Sequence, residues 1–141
     1  MNPANRPVDN IIEQLQERAK ELHTLYKVHE LINQPEASID EVCRGIAEAL
    51  PTGWQYPSVC WCKVTLENTV YQPPRTTETP WVLRSDVVLQ GERVGCIEIF
   101  YTRQMPRADE GPFLKEEGRL IRTIADRLGH FVLHRQLRGV V

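Results

Sequence analysis

The spacing of hydrophobic positions along this chain changes twice. Steps of three and four residues run through the N-terminal third, alternation takes over across residues 58–101, and three- and four-residue steps return from Phe113 onward. The first spacing gathers side chains on one face of a helix, the second on one face of a strand. Residues 113–137 carry the broadest stripe: Phe113, Leu114, Leu120, Ile121, Ile124, Ala125, Leu128, Phe131 and Val132. It is wider than a single seam, so it predicts a helix that touches a core and something else. Residues 8–33 predict a second long helix, with Asp9 or Asn10 near its start as a cap. A 26-residue helix would run about 39 Å at 1.5 Å per residue. Ile12, Leu15, Ala19, Leu22 and Tyr26 step through it as a heptad seam, flanked by Glu13, Glu17, Arg18 and Lys20. Beyond Leu22 the stripe drifts to Leu25, Val28, Leu31 and Ile32. Two arrangements fit: the first half meets a partner helix while the second docks on the domain, or the whole helix lies on its own core.

Between these helices the punctuation is plain. Asn33-Gln34-Pro35 ends the first helix, because proline cannot continue it. Ser38-Ile39-Asp40-Glu41 is a capping box that opens another, with Val42, Ile46, Ala47 and Leu50 on one face, and Pro51-Thr52-Gly53 stops it. Residues 58–66 have strand composition, residues 69–72 form a short second strand turned around Glu67-Asn68, and residues 81–90 and 93–101 read as a third and fourth. Gln90-Gly91-Glu92 predicts a tight hairpin between the last two, since glycine supplies a positive φ. Pro73, Pro74 and Pro80 make residues 73–80 a loop, and residues 102–111 are a polar connection. The order helix, helix, four antiparallel strands, helix is α+β, with N- and C-terminal helices packed side by side on one face of the sheet.

Composition narrows the function classes. With 141 residues the chain is one domain, and 26% charged and 41% hydrophobic residues are ordinary for a globular one. Seventeen basic and nineteen acidic side chains leave a net charge of −2 and no basic patch in the sequence, which argues against nucleic acid as a partner. No apolar run approaches the length of a membrane span, and residues 1–10 lack the apolar core of a signal peptide, so a cytoplasmic location is expected. Residues 1–7 are expected to be disordered. Cys43, Cys60, Cys62 and Cys96 all sit in apolar segments and read as reduced core thiols; Cys60-x-Cys62 lacks the gap of a zinc knuckle. His130 and His134 stand four apart without a third ligand, so no metal is expected; with Arg135 and Arg138 they suit the negative end of the last helix. His134-Arg135 also lacks the acidic residue that follows a kinase phosphoacceptor histidine. Neither phosphate-cradling glycine motif is present.

The order and several residues together resemble a GAF domain, the small-ligand and regulatory module of many bacterial signalling proteins. Val94-Gly95-Cys96-Ile97-Glu98-Ile99 is similar to the family's late strand. Phe113-Leu114, Glu116-Glu117, Leu120-Ile121, Ile124-Ala125 and Leu128 are similar to its closing helix, and residues 25–32 with the capped Ser38 helix to its opening. Gly53-Trp54-Gln55-Tyr56-Pro57 and Asp109-Glu110-Gly111-Pro112-Phe113 resemble the GAF-like type found beside histidine kinases. The resemblance covers about residues 20–137, which divides the chain into a tail and helical extension over 1–19 and a GAF-like domain over 20–141. It departs from the family where the roof of the pocket would be: residues 68–80 are a short, proline-rich stretch of 13. The signature of the cyclic-nucleotide-binding members and a cysteine matching the bilin anchor are missing, so neither ligand is carried over.

The resemblance implies a non-catalytic sensory or regulatory domain in signal transduction, with a homodimer, a downstream signalling module and a small-molecule ligand as partners, and no cofactor identified. Tyr71, Arg75, Trp81 and Arg84, around the short roof, offer the aromatic faces and fixed cations that hold an acidic or planar molecule; a core role for Trp81 and solvated arginines is the alternative. Glu98 stands out on an otherwise apolar strand, and Arg84 is placed to pair with it across the predicted hairpin, a pairing more often structural than functional. The dimer would form through Ile12, Leu15, Ala19, Leu22 and Tyr26 together with Ile121, Leu128 and Val132. A ligand-free dimerisation scaffold is the second reading.

Overall fold

The computed structural model describes residues 7–139. Helix α1 spans Pro7–Ile32 and α2 Ile39–Ala49; strands β1 to β4 span Cys60–Leu66, Thr69–Tyr71, Val82–Leu89 and Glu92–Tyr101; α3 spans Lys115–Leu137. Two 3-10 turns, Leu50–Gly53 and Pro57–Val59, carry the chain from α2 into β1. The fold is α+β, a four-stranded antiparallel sheet with three helices. The disorder expected at the N-terminus falls outside the described residues except for Pro7, which already belongs to α1.

The strands lie in the order β2-β1-β4-β3, every neighbouring pair antiparallel. Leu89 pairs with Glu92, so β3 and β4 are joined by Gln90 and Gly91 alone, at φ of 48° and 83°. Positive φ at both central residues matches the right-handed twist of the flanking strands, which is why glycine stands there. One face of the sheet is apolar. Cys62, Val64 and Leu66 of β1 and Ile97, Ile99 and Tyr101 of β4 alternate onto it, joined by Tyr71 and Val87, and all are buried.

Helix α2 covers β1 and β2 with Val42, Cys43, Ile46 and Ala47, while α3 lies chiefly against β3. That contact depends on Gly129, where an added Cβ would stand 2.7 Å from the Val88 carbonyl at the β3 bulge. The terminal helices share one side of the sheet, but only α3 rests on it: α1 packs chiefly on α2, the following 3-10 turn and α3. Its inner face buries Glu21, Thr24 and Val28, and Leu25 and Ile32 pack half-buried against the core beside them. Clefts that join residues 10–21 to 114–119, and 29–35 to 127–138, show that α1 and α3 run parallel.

Phe113 and Leu114 were expected to open the last helix and instead precede it. Leu114 is extended at φ −78° and ψ 149°, and Phe113 and Glu110 exchange backbone hydrogen bonds of 2.9 and 2.8 Å in a tight turn. Phe113 still reaches the core, stacked on Tyr101 with ring centres 4.9 Å apart.

Candidate functional site

The chemistry-bearing residues gather on the sheet face that no helix covers. Strand register arranges them in three rows across β1, β4 and β3: Trp61–Phe100–Val82, Lys63–Glu98–Arg84 and Thr65–Cys96–Asp86. The first row is aromatic, with Trp61 stacked on Phe100 at 4.5 Å and 13°. The indole nitrogen of Trp61 is buried and has no hydrogen-bond partner among the described residues.

Glu98 is the centre of the second row, only 7% exposed although ionisable. Central placement in the sheet buries it, and a buried carboxylate needs a partner. Arg84 supplies one, its Nη2 donating to Oε2 at 2.8 Å from the neighbouring strand. The Cys96 thiol lies 3.6 Å from the other oxygen. Lys63 turns away to Glu78 at 3.0 Å, and that bond raises its pKa. Glu78 and Thr79 thus pin the proline-rich loop to the sheet, Thr79 donating to the Tyr101 carbonyl at 2.6 Å. On the rim, Arg93 bonds Asp86 at 2.8 Å.

The residues expected to hold a ligand do not converge. Arg84 lies on this face with Glu98. Tyr71 is on the opposite, helix-covered face, where its hydroxyl donates to Asp40 of α2 and the Arg44 guanidinium sits 5.7 Å over its ring. Trp81 packs against the same core, half-buried. Arg75 is exposed in the loop at φ 61°. Glu98 was visible in the sequence as a lone charge on an apolar strand; Trp61 and Phe100 read only as strand formers.

A second buried carboxylate, Glu117, had no distinguishing sequence signal beyond its place three residues after Leu114. It accepts hydrogen bonds from the backbone N–H groups of Gln55 and Leu114, both at 2.8 Å. Burial nevertheless pushes its carboxyl up to about 7. Burial also raises all four thiols, to about 12 at Cys43, which keeps them protonated and poor as nucleophiles or metal ligands. Among the described residues no three His, Cys, Asp or Glu side chains gather as a metal site, and no helix is long and apolar enough to cross a membrane.

The expected dimer residues separate into two groups. Ile12, Leu15, Leu22 and Tyr26 are 47, 64, 51 and 61% exposed, with Ala19 exposed between them and Val8 continuing the row. Ile121, Leu128 and Val132 are buried in the core. The outward seam therefore belongs to α1 alone. Comparison of the chain with protein-family models, with curated proteins and with solved structures found no match.

Proposed function

We propose that this chain is a non-catalytic GAF-like regulatory domain of cytoplasmic signal transduction, which forms a homodimer through the outer face of α1 and passes a ligand or partner signal to a downstream module. The observation that carries the reading is the row of large apolar side chains that α1 leaves in water on one face while its other face is docked. Burying one such side chain is worth about 1.5–3 kcal/mol, so a row from Ile12 to Tyr26 has ample drive to pair with its own copy. Two identical rows meeting across a two-fold axis satisfy both chains at once.

The uncovered sheet face is the candidate input. Its centre, Arg84–Glu98, joins β3 to β4, and α3 rests on β3. An anion that drew Arg84 away would leave Glu98 buried and unpaired, a cost the hairpin can relieve by shifting under α3. Helix α3 is tied to the end of α1 by Arg135, so the shift would reach the dimer seam and the chain beyond.

A specific observation favours a second reading, the ligand-free dimerisation scaffold. The Trp61–Phe100 stack and the Arg84–Glu98 pair already bury the helix-free face with each other, and the clefts at residues 29–35 with 127–138, 10–21 with 114–119, and 34–41 lie elsewhere. Native mass spectrometry of the purified chain separates the two. A dimer with added mass is the sensor, a dimer of bare chains is the scaffold, and a monomer contradicts both.

A further inference from the structure

Where α1 and α3 end together, a cleft of about 530 Å³ opens between them. None of its lining residues belongs to the sheet. Its lining carries three arginines, Arg127, Arg135 and Arg138, beside the rings of His29, His130 and His134, with no Asp or Glu. Ile32 and Phe131 form its apolar wall. We infer that this cleft binds a small phosphorylated organic anion, held between the C-terminal ends of α1 and α3.

The plain alternative is that these cations only offset the negative ends of two helices, each worth about half a charge. At the α1 end the geometry assigns that task to one residue. Arg135 is buried, lies over the Phe131 ring at 5.1 Å, and donates from Nη2 to the Gln34 and Pro35 carbonyls, both at 3.2 Å, just past the end of α1. One full positive charge placed there exceeds the half-charge at the end of α1. Arg127 and Arg138 remain, both exposed and without a carboxylate partner among the described residues. Arg138 makes only a long contact of 3.5 Å to the His134 ring. The nearest charge of opposite sign on α3 is Asp126, which stands 3.7 Å from His130 outside the lining.

Two unspent guanidiniums with ring N–H donors beside them suit phosphate oxygens, which accept bidentate, charge-assisted bonds. The volume exceeds what a bare phosphate needs and lies in the usual range for organic ligands, and the Ile32–Phe131 wall gives an organic body somewhere to rest. A molecule seated there would bridge α1 to α3.

The test titrates the whole chain with ADP and with pyrophosphate in chloride buffer, by calorimetry and by amide chemical shifts. Binding of ADP is expected, with the largest shifts at Asn33, Phe131 and His134. The double variant Arg127→Gln/Arg138→Gln should weaken it by about tenfold or more, the worth of one or two charge-assisted bonds. Arg119→Gln, an exposed arginine at the other end of α3, should leave it unchanged. No heat and no shifts with either compound overturns the inference. So does equal weakening by Arg119→Gln, which would mean diffuse attraction rather than a site. All three positions are exposed, so circular dichroism is expected to show each variant folded.

Discussion

The two long helices run parallel, carry apolar stripes of similar spacing, and use them in opposite ways. Helix α3 spends its stripe inward: Leu120, Ile121, Ile124, Leu128, Phe131 and Val132 are all buried. Helix α1 docks through Glu21, Thr24 and Val28 with the half-buried Leu25 and Ile32, and turns Ile12, Leu15, Leu22 and Tyr26 outward. Periodicity measures how apolar residues are distributed around a helix axis and carries no information about what covers them. A helix that is docked on one face and still exposes large apolar side chains on the other has a second surface to satisfy. That contrast is the basis for reading α1 as the dimer element and α3 as the core element.

The sharpest way to break the contrast is to cut one residue from each stripe. Leu128→Ala removes a fully buried side chain beneath α3 and should cost about 2–5 kcal/mol, through lost burial plus the cavity left behind. Leu15→Ala, measured at a concentration where the chain is monomeric, should cost no more than about 0.5 kcal/mol. Urea unfolding of both variants reads the difference. Equal costs would mean that α1 is docked through the face described as free.

A smaller effect is expected where the helices meet at their N-terminal ends. Glu117 of α3 lies within electrostatic reach of Glu17 and Lys20 of α1, of the Tyr101 hydroxyl and of the Cys60 thiol. Its carboxyl titrates near 7 in the fold against 4.5 ordinarily, so the folded chain holds a proton that the unfolded chain has released. The resulting stabilisation is complete below about pH 4.5, is lost as pH rises through 7, and is flat above. The full span is on the order of 3 kcal/mol. Glu117→Gln stays neutral throughout, so the wild-type-minus-variant stability should fall between pH 5 and pH 7.5. A difference that is constant over that range would show the carboxyl to be ionised in the fold.

Most elements were legible in the sequence because their signals are local. The Ser38 cap accepts from the Glu41 N–H at 3.1 Å as the capping box requires, Pro35 follows the end of α1, and the Gln90-Gly91 turn closes β3 onto β4. The Arg84–Glu98 pair was also legible, since hairpin register places residues opposite one another. What escaped depends on the third dimension. Tyr71 and Trp81 are close in sequence to Arg84, but strand alternation and the intervening loop send them to the helix-covered side. Arg135 was read as serving its own helix end, whereas it reaches the carbonyls of Gln34 and Pro35, a hundred residues away. Glu117 entered only through the resemblance of the last helix, and its burial depends on Gln55, which donates to it from 62 residues away.

The central claim, that the outer face of α1 is a dimer seam, is tested most directly by sedimentation equilibrium of the chain and of Leu15→Asp/Leu22→Asp. Both positions are more than half exposed, so the variant should fold with an unchanged circular dichroism spectrum. The account predicts a dimer for the parent chain and a monomer for the variant. A monomeric parent, or a variant that remains dimeric, would contradict it.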